Sequence, residues 1–102
     1  MTVKLVVLYT QPEDPAAFEA AYGDVHVPLV EKIPGVQRFE AGRISGALDG
    51  GEQTYFWLAE LYFADAAALQ AALGSPEGGA AAQHYGEIAP PGSRMFVQEL
   101  GG

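Results

Sequence analysis

Residues 54–63 read TYFWLAELYF, and the way this stretch alternates decides the fold. Successive side chains of a strand point to opposite sides. Tyr55, Trp57, Ala59, Leu61 and Phe63 therefore share one face, and Phe56, Leu58, Glu60 and Tyr62 share the other. Apart from Glu60, both faces are apolar. A strand of that kind is covered on both sides, which places it in the interior of its sheet. VKLVVLYT at 3–10 has the same character, with Val3, Leu5, Val7 and Tyr9 on one face and Lys4, Val6, Leu8 and Thr10 on the other. Two central strands are thus expected.

Between them lies a long helical stretch. Asp14-Pro15 is a strong helix opening, because the carboxylate can cap free N–H groups and proline suits the first helical position. Phe18, Tyr22, Val25 and Leu29 recur at helical spacing and predict a core stripe on a helix from about Pro15 to about Lys32. His26, four residues after Tyr22, is expected at one edge of that stripe. Pro28 has no N–H, so the bond back to the carbonyl of Asp24 is lost and the helix is expected to kink beside His26. Pro34-Gly35 ends the element.

The remaining elements follow in order. Val36–Ser45, VQRFEAGRIS, carries Arg38, Glu40 and Arg43 and reads as an edge strand. GALDGGEQ at 46–53 is a glycine-rich hairpin loop, and it lacks the lysine and following helix of a phosphate loop. Asp65 caps a second helix, AAALQAAL, which Gly74 ends. Ser75-Pro76 opens a further helical segment to about Tyr85, and Arg94–Leu100 is the last strand. The order is βαββαβ, which specifies one α+β domain over residues 1–102 with a ferredoxin-like, four-stranded antiparallel sheet and helices on one face. Helices cover only one side of such a sheet, yet both central strands are apolar on two. A second copy is therefore expected against the helix-free face, giving a homodimer with an enclosed interior.

Composition narrows the function. Thirteen acidic against five basic residues give a net charge of −8, which repels phosphate backbones and anionic lipid, so neither nucleic acid nor a membrane is an expected partner. No apolar run is long enough to span a bilayer, and MTVKLVVLYT lacks the features of a signal peptide. Cysteine is absent, which removes disulfides and thiol nucleophiles and fits a reducing cytoplasm. Two histidines without HxxxH spacing or a carboxylate cluster make a metal site unexpected.

Phe18, Tyr22, His26, Pro28-Leu29 and Pro34-Gly35, followed by Ser75-Pro76-Glu77, resemble the EthD-like family of the dimeric α+β barrel superfamily over nearly the whole chain. The resemblance implies a ferredoxin-like dimer whose interior forms a pocket near the helix 1 histidine. Related dimeric barrels include cofactor-free monooxygenases, lactone isomerases and haem enzymes, and nothing beyond His26 points to haem here. At Gln83-His84-Tyr85 the chain departs from the pattern, where an acidic residue is expected.

Two side chains are candidate catalytic groups. His26, with a pKa near neutrality, can serve as acid or base on a small organic substrate; alternatively its ring caps the carbonyl freed by Pro28. Glu60, a carboxylate in a central strand, must reach a cavity, pair with a cation or stay protonated, and a salt bridge to Arg38 or Arg43 is the plainer reading. If both share a cavity, they make an acid–base pair for proton transfer next to a carbonyl. Tyr9, Tyr22, Trp57 and Tyr62 are candidate walls for a flat apolar ligand, or simply core. His84, near a helix end, is expected to serve at the surface. The functional expectation is a barrel binding a small apolar molecule without a cofactor, with His26 as acid–base residue. The competing expectation is a non-catalytic binding or accessory protein in which His26 is structural.

Overall fold

The computed structural model describes residues 1–101. Strand β1 (Val3–Thr10) is followed by helix α1 (Pro15–Ala21), a π turn (Tyr22–His26) and helix α2 (Val27–Glu31). Strands β2 (Arg38–Arg43) and β3 (Tyr55–Phe63), helices α3 (Ala66–Leu73) and α4 (Pro76–Ile88), and strand β4 (Arg94–Glu99) complete the chain. The sheet runs β2-β3-β1-β4, antiparallel throughout, with β1 and β3 central as their two-faced apolarity requires. The fold is the expected ferredoxin-like α+β sandwich.

Register sorts the side chains. Opposite pairs Val3–Phe63, Leu5–Leu61, Val7–Ala59 and Tyr9–Trp57 form the helix-covered face. Lys4–Tyr62, Val6–Glu60 and Leu8–Leu58 form the other. The buried residues lie on the helix side in two clusters. One gathers Phe63 with Val3, Val30, Leu61, Leu69 and Ala72, and the other gathers Tyr9, Phe18, Tyr22 and Phe56.

The helices begin where their caps dictate. Asp14 accepts from the Ala17 N–H at 3.1 Å, Asp65 from Ala68 at 2.8 Å and Ser75 from Gly78 at 3.0 Å. Helices α3 and α4 meet so closely that a Cβ on Gly78 would stand 2.0 Å from the Ala72 carbonyl oxygen, so only glycine fits there.

The long helix differs from its expected form. Its irregularity starts six residues before Pro28, as a π turn in which the Val27 N–H donates to the Tyr22 carbonyl. One extra residue in the turn lets Pro28 fall in the first turn of α2, where an N–H is not needed. The rotation also changes which side chains face inward. Val25, expected in the core stripe, is 47 % exposed, whereas Tyr22, His26 and Val30 point in.

Candidate functional site

Tyr22, His26 and Val30 reach from the helix layer toward the sheet and line a cavity of about 290 Å³. Its floor is β1 and β3, through Leu5, Val7, Tyr9, Ala59 and Leu61, and its far wall is α4, through Ala81 and Tyr85. Exposed Met95 and Val97 on β4 and Leu73 on α3 border its open side. The volume is that of about ten liquid waters, near the lower end of ligand pockets. The chamber therefore lies between the sheet and the helices of one chain.

His26 is 5 % exposed, the one buried polar residue among the described residues. Its Nδ1 lies 3.0 Å from Nδ1 of His84 on α4. The ring centroids are 5.2 Å apart, close to the largest separation two rings joined by that contact can have. The two nitrogens thus point almost straight at each other. One must donate and the other accept, so one proton is held between them. Burial, and secondarily the neighbouring His84, push the His26 pKa down to about 4. His26 is accordingly neutral at pH 7. The imidazole bonds to His84 rather than to a backbone carbonyl freed by Pro28.

Tyr22 stands one helical turn before His26, ring centroids 5.0 Å apart. Its hydroxyl is buried without a hydrogen-bond partner, and so is the indole N–H of Trp57, whose ring centroid is 5.2 Å from that of Tyr22. Burial pushes the Tyr22 pKa up to about 12, and the nearby Trp57 N–H opposes that rise without reaching hydrogen-bond geometry. Tyr9 is raised further, chiefly by desolvation. A buried donor left unpaired costs about 1–3 kcal/mol, which a ligand oxygen would recover.

The structure separates the remaining candidates from this site. Glu60 lies on the helix-free face, where it pairs with Lys4, not with Arg38 or Arg43. The sheet stands between it and His26, so the two carry no shared cavity. Tyr62 is on the same far face, under Lys4 and Arg38, and donates to Glu40 at 3.2 Å. Tyr9 and Tyr22 line the chamber, whereas Trp57 packs against Tyr22 outside the lining and its N–H has no partner.

His84 and Tyr85 are the site residues that sequence reasoning did not place here. The signal was present: Ala81, Tyr85 and Ile88 recur at helical spacing, with His84 at the edge of that stripe. Because α4 continues to Ile88 rather than stopping near Tyr85, His84 sits a full turn inside the helix. A role for it at the helix end is thereby removed.

Comparison with known proteins agrees with this architecture. The EthD domain model matches residues 10–89. An uncharacterised 11.0 kDa protein from the thcB–thcC intergenic region of Rhodococcus erythropolis is 42% identical over 96 residues, covering 94% of this chain and 92% of its own. The crystal structure of an EthD-family protein from Bacillus halodurans superposes with a TM-score of 0.91 at 35% identity, covering 98% of this chain and 99% of the other. SnoaB, a cofactor-independent oxygenase from Streptomyces nogalater, shares the fold at 20% identity and a TM-score of 0.68, covering 97% and 92%. Other solved proteins with this fold, all below 25% identity, are described as dimeric. The chain belongs to the EthD family.

Proposed function

We propose that the chamber binds a small, largely apolar or aromatic molecule bearing a carbonyl or phenolic oxygen, and that His26 moves a proton on it. The reaction class is a cofactor-independent isomerisation or oxidation. One observation carries this reading: a buried, neutral histidine lines an otherwise apolar cavity whose wall also includes Tyr22, a tyrosine with an unpartnered hydroxyl. A neutral imidazole can accept a proton, and the Tyr22 hydroxyl can donate to the oxygen on which negative charge then develops. The cofactor-independent chemistry of SnoaB supports the class at the level of fold. Glu60 and Tyr62 have no part in it.

A thermal-shift panel of small aromatics, lactones and quinones tests the reading. Oxygen-bearing members should raise the melting temperature, by the equivalent of about 2.7 kcal/mol at a hundred times Kd. Tyr22→Phe should leave the free protein as stable or more stable, since it deletes an unpaired hydroxyl, while weakening those ligands about tenfold or more. For a bound ligand with an acidic C–H, His26→Gln should slow solvent-deuterium incorporation at least a hundredfold. A panel with no stabilising member, or with equal shifts in wild type and Tyr22→Phe, would speak against the assignment.

We also propose that the protein is a homodimer through the helix-free face, where Val6, Leu8 and Leu58 stay half-buried with no helix above them. The dimeric descriptions of proteins sharing the fold support this. Sedimentation should give twice the 10.8 kDa chain mass, and a monodisperse monomer at micromolar concentration would refute it. Among the described residues no helix is long and apolar enough to cross a membrane. Together with the absence of cysteine, this supports a cytoplasmic setting.

A further inference from the structure

The cavity poses a problem that His26 alone does not solve. A proton taken up there would leave an imidazolium in an apolar chamber whose lining holds no carboxylate. The ionisable groups around it are Tyr9, Tyr22, Tyr85 and His84, none of them an anion at pH 7. Burying an uncompensated charge costs several kcal/mol. His84, by contrast, is only partly buried, and it is the group that His26 Nδ1 contacts.

We propose that His26 and His84 form a one-proton relay, in which His84 hands to solvent the proton that His26 takes in the chamber. The head-on Nδ1–Nδ1 contact is its structural basis, and the inference rests on the proton-transfer reading of His26 given above. In the resting state His26 Nδ1–H donates to His84 Nδ1, so His26 Nε2 is bare and His84 Nε2 carries hydrogen. That Nε2 is not among the fully buried unpartnered atoms, which are Tyr22 Oη and Trp57 Nε1. When His26 Nε2 accepts the substrate proton, the Nδ1 proton passes to His84 Nδ1 and the His84 Nε2 proton leaves to water. The substrate keeps the bonding electron pair as an anion. Both rings finish neutral with their tautomers exchanged. The reverse sequence returns a proton to the product and resets the pair. His84 is thus a positioning residue that also sets which nitrogen of His26 is free to act.

The test needs no ligand. In protein carrying ¹⁵N-labelled imidazoles, we expect a scalar coupling across the hydrogen bond between the two Nδ1 atoms. Saturation transfer from water to the shared proton is also expected. His84→Gln retains an acceptor for His26 Nδ1–H but cannot pass a proton through, so water exchange at that position should fall at least tenfold. Circular dichroism reports whether the variant folds, and the wild-type coupling stands whether or not it does. Absence of the coupling in wild type, or an unchanged exchange rate in folded His84→Gln, would overturn the relay. Because the free protein is used, a chamber that binds none of the panel molecules would sink the proposed function and leave this result standing.

Discussion

Phe63→Ala is expected to cost about 3–5 kcal/mol of folding stability, the range for deleting a fully buried phenylalanine. Phe63 is 1 % exposed and sits where the end of β3 meets the helix layer, opposite Val3 and packed with Val30, Leu69 and Ala72. Those neighbours come from three separate elements, so no single side chain can collapse into the space the ring would leave. Domains of this size are typically stable by only about 5–15 kcal/mol. The melting temperature should therefore fall by roughly 12–40 °C, at about 4–8 °C per kcal/mol. Val25→Ala serves as the contrast: with nearly half its surface in water, its truncation should change stability by no more than about 0.5 kcal/mol. Similar losses in the two variants would mean that the π turn does not orient the helix as described.

The second large effect is a pH dependence. His26 has its folded pKa pushed down to about 4 by burial and by His84, against about 6.5 for an unburied histidine. Above about pH 6.5 the ring is neutral in both folded and unfolded chains and contributes no slope. Between about 6.5 and 4 the unfolded chain takes up a proton that the folded chain refuses. Stability should then fall with acidification by up to about 1.4 kcal/mol per pH unit, reaching roughly 3 kcal/mol by pH 4. Carboxylates add their own acid dependence below about pH 5, so the difference between wild type and His26→Leu isolates the histidine. The variant should be the more stable protein at pH 5, with the gap closing by pH 7.5. Parallel stability curves for the two proteins would show that His26 is not held neutral.

Much of the architecture was legible because it depends on periodicity. TYFWLAELYF and VKLVVLYT are mostly apolar on both faces, and that alone requires central strands. Asp14-Pro15, Asp65 and Ser75-Pro76 announce their helices through local hydrogen bonding, which needs no tertiary context. The π turn was not legible. Pro28 signals disruption, but where the chain absorbs it depends on which side chains the sheet draws inward, and the sheet selected Tyr22, His26 and Val30 over Val25. The site was half legible for a related reason. His26 and Tyr22 sit one turn apart in a single segment, whereas the His26–His84 contact joins residues 58 positions apart and exists only once α4 lies across the π turn. Glu60 misled because alternation shows that a carboxylate lies in a central strand without showing which cover lies over it. The helices went to the other face, and Lys4, on the neighbouring strand, took the charge.

On the function proposed here, the working space of this protein lies between its sheet and its helices, under His26 and Tyr22. A crystal structure of the protein with the most strongly stabilising member of the panel addresses it directly. Density is expected in the chamber, with a ligand oxygen within about 3 Å of Tyr22 Oη and an exchangeable proton of the ligand facing His26. Density on the helix-free face beside Glu60 and Tyr62, with the chamber vacant, would contradict it.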